Sequence, residues 1–223
     1  MARSFRQRLG SPAKRDNSAR KTKTAIRARV LEAIGADKAR VFDAFAGAGV
    51  AYYTVWNRAA SYVGCDLKWY PDERHVYVAD NRRVLRMLDL GGFSIVDLDA
   101  FGSPWEQAYI LSARRQLAPG EKFGLVLTDG SGLKLKFGAS PTALAMLAKS
   151  PLVAPDLARQ HSRIIDSAIE AVAQRMNGRV VKRHQATGKA GTAMRYIGLV
   201  LEGTKKAPTA RAGAERNQST SSA

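Results

Sequence analysis

The chain has 223 residues, of which 45% are hydrophobic and 25% are charged, proportions that are ordinary for one soluble globular domain. The sequence contains no apolar run long enough to cross a bilayer, and its first residues lack the apolar segment of a secretory signal. We therefore expect a cytoplasmic protein without a membrane partner. One cysteine and three histidines exclude a disulfide framework and provide no zinc-like spacing, so no metal is expected.

The formal net charge of +17 is concentrated at the two ends of the chain. Residues 1–30 hold ten Lys and Arg against one acid, and residues 203–223 hold four against one. This composition predicts a disordered basic arm at 1–20 and a disordered basic tail at 204–223, on either side of a domain at 21–203. Basic arms attract polyphosphates and release their counterions, which favours nucleic acid as the partner. A solvated tail with no specific partner is the alternative.

Strand patterns and helix patterns alternate through the first half of the domain. Strands are predicted at 41–46, 62–67, 76–79, 93–98 and 123–128, and helices at 22–34, 50–59, 81–90 and 105–117. This alternation indicates an α/β fold, a parallel sheet with helices on both faces.

The pattern changes in the second half. A helix is predicted to begin at Ser140-Pro141, and a longer one to run from Asp156 to about Met176. Strands at 179–185 and 194–202 are predicted to form a terminal hairpin.

A glycine-rich loop follows the first strand, in the run from Asp43 through Phe45, Gly47 and Gly49 to Tyr52. Small residues between a strand and a helix let a ligand approach the backbone at the carboxyl edge of the sheet. Tyr52 stands where a dinucleotide fold places its third glycine, and no P-loop motif is present. The loop therefore predicts a nucleoside site without a bound pyrophosphate.

Acidic residues stand at the ends of the next three predicted strands. Asp66 lies seventeen residues after Gly49, where a carboxylate accepts both hydroxyls of a ribose. Asp80 and Asn81 end the third strand and offer partners for an adenine edge. The run Asp97–Pro104 ends the fourth strand, where a substrate is expected. Each acid alone is an ordinary turn former, but their occurrence at successive strand ends favours a pocket for a nucleoside cofactor.

The stretch from residue 38 to 130 resembles the class I S-adenosylmethionine-dependent methyltransferases, through its loop Asp43-Ala-Phe-Ala-Gly-Ala-Gly49. The run Asp-Leu-Asp-Ala-Phe-Gly-Ser-Pro, residues 97–104, resembles the Asp-Pro-Phe-Gly-Ser-Pro signature of tRNA guanine-N2 dimethyltransferases. The resemblance implies a Rossmann-like seven-stranded sheet, mostly parallel with a C-terminal antiparallel hairpin, and S-adenosylmethionine as the cofactor. It also implies methyl transfer to an exocyclic base amine, with guanine N2 of tRNA or another RNA as the first expectation.

The resemblance also implies a role for each motif residue. The loop is expected to meet the methionine part of the cofactor, Asp66 its ribose, and Asp80 with Asn81 its adenine. Asp99 is expected to face the target amine, with Phe101 beside the base. The full set of expected cofactor contacts is Asp43, Phe45, Ala46, Gly47, Gly49, Asp66, Leu67, Asp80, Asn81 and Asp97. The expected substrate contacts are Gly102, Ser103, Pro104 and Trp105, the last as a residue that stacks on a base.

Ala100 occupies the position of the motif proline, so the fixed φ of proline is absent beside Asp99. The sequence also has few residues left for the extra C-terminal domain that the tRNA enzymes usually carry. Three alternatives therefore stay open: methylation of a DNA adenine or cytosine amine, methylation of a small molecule or protein, and a non-catalytic regulator that binds nucleic acid.

Overall fold

The computed structural model describes residues 19–188 and 194–204. The predicted basic arm and basic tail lie almost entirely outside the described residues, so they stay predictions. Within the described part, no helix is both long enough and apolar enough to span a membrane.

Seven strands form one sheet in the order β3-β2-β1-β4-β5-β7-β6. The strands are β1 (Arg40–Asp43), β2 (Ser61–Asp66), β3 (Val76–Val78), β4 (Ile95–Leu98), β5 (Lys122–Asp129), β6 (Gly178–Thr187) and β7 (Arg195–Gly203). The first five pair in parallel, and β7 runs antiparallel to both β5 and β6. This confirms the predicted α/β sheet, mostly parallel and ending in an antiparallel hairpin.

Seven α-helices accompany the strands within the described residues. They are α1 (Arg20–Ile34), α2 (Val50–Thr54), α3 (Asn81–Met87), α4 (Trp105–Arg114), α5 (Gly132–Lys136), α6 (Thr142–Ala148) and α7 (His161–Arg175), with short 3-10 helices at Trp56–Arg58 and Leu90–Gly92.

Side chains that alternate along the central strands build a core on each face of the sheet. Val41 and Ile95 point to the face covered by α1 and by the buried Trp56. Phe42 and Val96 point to the opposite face, where α3, α4 and α7 pack. Because successive strand residues face opposite sides, a sheet buried on both faces needs continuous apolar runs, as β1 and β4 have.

The sheet has a topological switch point between β1 and β4, where the order of the strands in the sheet changes direction. From β1 the sheet grows outward through β2 and β3, and then in the other direction through β4 and β5. Ligands of open α/β sheets bind at this reversal, outside the carboxyl ends of the strands. The ends of β1 and β4 are in register there, with Asp43 opposite Asp97.

Several predicted helix boundaries differ from the structure. The segment predicted as one helix at 50–59 is divided into α2 and the 3-10 helix at Trp56–Arg58. The helix predicted from Asp156 begins only at His161, and residues 155–160 form turns instead. Asp156 accepts a hydrogen bond from the side chain of Gln160 in these turns. Local side-chain bonding of this kind competes with helix formation, which explains the late start.

Two glycines allow α1 to lie close against the sheet. A Cβ on Gly198 of β7 would stand 2.7 Å from Ile26 Cγ2 and 2.8 Å from Val30 Cγ2. A Cβ on Gly124 of β5 would stand 2.6 Å from Val30 Cγ1. Both contacts are much shorter than normal carbon–carbon separations, so only glycine permits this approach of the helix.

We expect Gly198→Ala to lower the free energy of unfolding by about 1–3 kcal/mol, the usual cost of overpacking a core. Urea unfolding monitored by circular dichroism measures this change. As the control, Ile26→Ala removes the methyl group that the new Cβ would meet, so the double variant should lose less stability than the two single variants added together. A loss below 0.5 kcal/mol for Gly198→Ala (on the order of a neutral surface substitution) would contradict the close packing.

Candidate functional site

The predicted glycine loop is held from both sides by charged side chains. Asp66 Oδ2 accepts a hydrogen bond from the backbone N of Gly47 at 2.9 Å. Arg74 donates from Nη1 to the carbonyl of Ala46 at 3.0 Å and from Nη2 to the carbonyl of Gly47 at 2.7 Å. Asp72 in turn pairs with the Arg74 guanidinium at 2.6 Å. One backbone N–H and two backbone carbonyls of the loop are therefore bonded by side chains before any ligand arrives, which preorganises the loop.

A cleft of about 250 Å³ opens beside this loop, at the carboxyl ends of β2 and β3. Its lining includes five of the predicted cofactor residues: Phe45, Asp66, Leu67, Asp80 and Asn81. Ala44, Ala79, Arg82 and Gln107 complete it. The structure thus brings together residues from three strand ends that are far apart in the sequence.

The polar residues of the cleft differ in how much bonding capacity they have left. Asp66 accepts from Gly47 N on one oxygen and from Lys68 N on the other, at 2.9 Å each, so each oxygen keeps a lone pair. The side chain of Asn81 is used inside the protein, because Nδ2 donates to the carbonyl of Ala44 at 2.8 Å and Oδ1 accepts from Gln107 at 3.0 Å. Asn81 therefore braces the wall of the cleft, and Asp66 presents acceptors to it.

Asp80 caps the first turn of α3 and lies at the edge of the cleft. Its carboxylate accepts from the backbone N of Arg82 at 2.9 Å and pairs with the Arg82 guanidinium at 2.5 Å. The hydrogen bond from the Arg82 side chain lowers the pKa of Asp80 to about 2. The group is consequently an ionised acceptor at neutral pH.

Five predicted cofactor residues do not line the cleft: Ala46, Gly47 and Gly49 of the loop, and the two acids Asp43 and Asp97. Asp43 is 1% exposed, and its carboxylate accepts from Phe45 N at 3.1 Å and is bonded to the Tyr62 hydroxyl at 3.2 Å. Asp97 is fully buried. Strand alternation points both side chains into the core below the loop, so the expected direct contact with a cofactor is wrong for this arrangement, and the two carboxylates support the site from beneath.

Asp97 forms a buried ion pair with Arg27, a residue that the sequence reasoning did not single out. Arg27 Nε donates to Asp97 Oδ2 at 2.6 Å, and the indole Nε1 of Trp56 donates to the same carboxylate at 2.9 Å. Arg27 lies on the buried face of α1 beside Ile26, Val30 and Leu31. An arginine on the apolar face of a helix was the signal for this pair in the sequence, since an unpaired charge is not tolerated there.

Asp99 stands at the surface end of the same network, one residue past β4. Lys23 Nζ donates to Asp99 Oδ1 at 2.6 Å and Arg27 Nη2 donates to Oδ2 at 2.7 Å. Burial acts to raise the pKa of Asp99, but the charges of Arg27 and Lys23 outweigh it and lower the pKa to about 2. A second pocket of about 130 Å³ opens here, and Lys23, Arg27, Thr54 and Asp99 are among its lining residues.

Ala100 closes the turn that presents Asp99. Its backbone N donates to the carbonyl of Leu98 at 2.8 Å, a bond that spans three residues and that proline is unable to make. The amide hydrogen bond thus supplies a local constraint at the position where the motif has a proline ring.

The predicted substrate residues separate into an exposed set and a buried set. Phe101 is 94% exposed, Gly102 is exposed and Ser103 is partly exposed. Pro104 and Trp105 are buried, and the Trp105 indole donates to Asp129 Oδ1 at 2.9 Å. Trp105 is fully buried in the core, which contradicts the expected stacking on a base. Its N–H is satisfied by Asp129, so α4 is anchored to the end of β5.

No protein-family model and no curated protein sequence matches the chain. Solved structures do match. Trm1 from Pyrococcus horikoshii, in complex with S-adenosyl-L-methionine, is 16% identical with a TM-score of 0.54, over 82% of this chain and 56% of the Trm1 chain. The N-methyltransferase NodS from Bradyrhizobium japonicum WM9, in complex with S-adenosyl-L-homocysteine, is 11% identical with a TM-score of 0.53, over 89% and 95% of the two chains.

Magnesium protoporphyrin IX methyltransferase from Synechocystis PCC 6803, with bound S-adenosyl-L-homocysteine, is 12% identical with a TM-score of 0.52, over 92% of this chain and 89% of that enzyme. The similarity to these structures extends over most of the described sheet and helices. With the strand order and the reversal between β1 and β4, it defines the fold as that of the class I methyltransferases. The chain spans just over half the length of the Trm1 chain.

We expect Arg27→Met to lower the free energy of unfolding by about 3–5 kcal/mol, because it leaves the Asp97 carboxylate buried without its counter-charge. Urea unfolding at neutral pH measures the loss. The double variant Arg27→Met with Asp97→Asn removes both charges and keeps an acceptor for Trp56, so it should recover most of the stability. A single variant that loses less than about 1 kcal/mol would contradict the buried ion pair.

A pH dependence is expected from Asp43. Burial raises the pKa of Asp43 from 3.8 to about 8, and the nearby Asp97 carboxylate adds to the increase. The folded protein therefore binds a proton that the unfolded chain releases, and this contribution to stability is present below about pH 4 and is lost as the pH rises through 8. Relative to Asp43→Asn, which does not ionise, the wild-type urea midpoint should fall between about pH 4 and pH 8, the window set by the two pKa values. A constant difference across this range would show that Asp43 is ionised throughout.

Proposed function

We propose that the protein transfers the methyl group of S-adenosylmethionine to an exocyclic base amine of RNA, with guanine N2 as the first candidate. The observation that carries the proposal is the position of the Asp99 carboxylate, which lies at the end of β4, beside the exposed Phe101. The cleft at Asp66 and Asp80 lies at the ends of β2 and β3 and extends to Phe45 after β1, the strand that neighbours β4. The similar structures that contain S-adenosylmethionine or S-adenosylhomocysteine support the choice of cofactor.

The residues of the cleft fit a nucleoside. The free lone pairs on Asp66 suit the two hydroxyls of a ribose, and Asp80 offers an ionised acceptor for an adenine amino group. Leu67 and Phe45 supply apolar walls for a flat ring. The bound cofactor supplies a methyl group on a sulfonium, which is an activated donor.

Asp99 acts as an electrostatic partner of the amine rather than as its base. With a pKa of about 2 the carboxylate stays ionised and is too weak a base to remove a proton efficiently at neutral pH. Its two oxygens have about four lone-pair positions, and Lys23, Arg27 and the Thr128 side chain each occupy one. The remaining position accepts an N–H group of the target amine, which concentrates the nitrogen lone pair.

Transfer from a bound cofactor would exchange its S–C bond for a new N–C bond and would leave positive charge on the amine nitrogen, next to Asp99. A fixed carboxylate stabilises that charge more in the transition state than in the ground state. The amine then loses a proton to water. Phe101 has an exposed ring suited to stacking on the base, and unpaired bases of RNA loops reach such a site at the lowest cost.

Asp99→Ala and Asp66→Ala form a reciprocal test. We expect Asp99→Ala to lower kcat by at least about 100-fold while its affinity for S-adenosylmethionine stays near that of the wild type. We expect Asp66→Ala to weaken cofactor binding about 10-fold or more, through the loss of hydrogen bonds to a charged group. Isothermal calorimetry gives the affinities, and transfer of a radiolabelled methyl group to total RNA, total DNA and protein in parallel, followed by nucleoside analysis, gives the activity.

Each variant is the control for the other, since both remove one carboxylate at a strand end. Full activity of Asp99→Ala on the RNA that the wild type methylates would overturn its assigned role. Label in DNA alone, or in protein alone, would replace the proposed substrate class. Cofactor binding without transfer to any of the three would favour the non-catalytic regulator.

A further inference from the structure

A wide groove adjoins the motif run at Ser103. Its volume is about 560 Å³, and its walls come from α3, α4, α5 and α6. The residues that matter for its chemistry are Arg86, Ser103, Glu106, Lys134 and Met146. Ser103 belongs to the motif run, so the groove begins two residues after the exposed Phe101.

The charges in the groove favour an anion. Arg86 on α3 and Lys134 on α5 are both exposed, and neither forms an ion pair within the described residues. Glu106 is the acidic residue of the lining. The Arg82 guanidinium lies 3.5 Å from Glu106 but pairs more closely with Asp80, at 2.5 Å. Arg86 and Lys134 against Glu106 therefore leave one net positive charge on the groove walls. Arg86 uses one N–H on the carbonyl of Arg82 and keeps its others free. Two free cations on different helices suit two successive phosphates of a strand.

We propose that this groove binds the single-stranded RNA segment that flanks the target nucleotide, an inference that rests on the proposed function. Arg86 and Lys134 hold backbone phosphates. The apolar lining that includes Met146 (56% exposed) contacts sugar and base. Because Ser103 lines the groove and belongs to the motif run that includes Asp99, a strand bound in the groove delivers one nucleotide to Phe101. Cations that track a backbone next to an aromatic platform are the usual way to bind a single strand.

The test measures RNA binding apart from catalysis. A fluorescein-labelled single-stranded RNA of about 12 nucleotides with one guanine is titrated with the full-length protein at several salt concentrations, and anisotropy reports the affinity. The groove variant is Arg86→Ala with Lys134→Ala. The matched control is Lys38→Ala with Lys122→Ala, which removes two exposed cations next to the starts of β1 and β5, at the opposite edge of the sheet.

We expect the groove variant to bind on the order of tenfold more weakly at moderate salt, and the slope of log affinity against log salt to fall by about 1.4, because each phosphate contact on a single strand contributes about 0.7. The control should keep the wild-type slope. Calorimetric affinity for S-adenosylmethionine should be the same in all three proteins. An equal loss of RNA affinity in the groove variant and in the control would contradict RNA binding by the groove. A wild-type protein that does not bind the RNA would contradict it as well.

RNA binding by the groove and methyl transfer to RNA are tested by different measurements, so either can fail without the other. Asp99→Ala should bind the same RNA with the wild-type slope, since the phosphate contacts lie outside the Asp99 pocket. If the wild type binds RNA through the groove and transfers no methyl group, the proposed chemistry is overturned and the groove is supported. If methyl transfer to RNA occurs with undiminished kcat/KM in the groove variant, the groove is overturned and the chemistry is supported.

Discussion

The arrangement of the site depends on the buried ion pair between Arg27 and Asp97. Two charges and the Trp56 indole meet where water is excluded, so each group needs its partners. The pair joins α1 to the end of β4 and to the 3-10 helix that follows α2. Since Arg27 also reaches Asp99, the same contact fixes the helix that brings Lys23 to the motif carboxylate. A core interaction thereby sets the electrostatics of a surface pocket.

The acidic residues at the strand ends have two roles, since some support the structure and others offer acceptors to a ligand. Asp43 and Asp97 face inward and are bonded by the protein itself, so they organise the loop and the helices around it. Asp66, Asp80 and Asp99 lie at the surface and keep acceptor capacity for a ligand. Burial raises the pKa of Asp97, whereas the charges of Arg27 and Lys23 lower the pKa of Asp99 only two residues further along, so neighbouring acids shift in opposite directions.

The fold was largely predictable, because apolar strand runs and helix periodicity depend on local sequence. The presence of Asp66 and Asp80 in one cleft followed from their positions at strand ends. Sequence position alone did not give side-chain direction: strand alternation turns Asp97 into the core, and packing at the start of α4 buries Trp105. Arg27 was missed because its partner lies seventy residues away along the chain, a pairing that only the folded sheet creates.

The turn at Ala100 has a wider implication for how such motifs are detected. An amide hydrogen bond to Leu98 constrains the backbone where a pyrrolidine ring stands in the related signature. Two chemically different devices are thus available for presenting the same carboxylate. A search pattern that requires proline at this position would pass over a chain in which this hydrogen bond constrains the turn, so backbone geometry is the safer criterion for recognising such a turn.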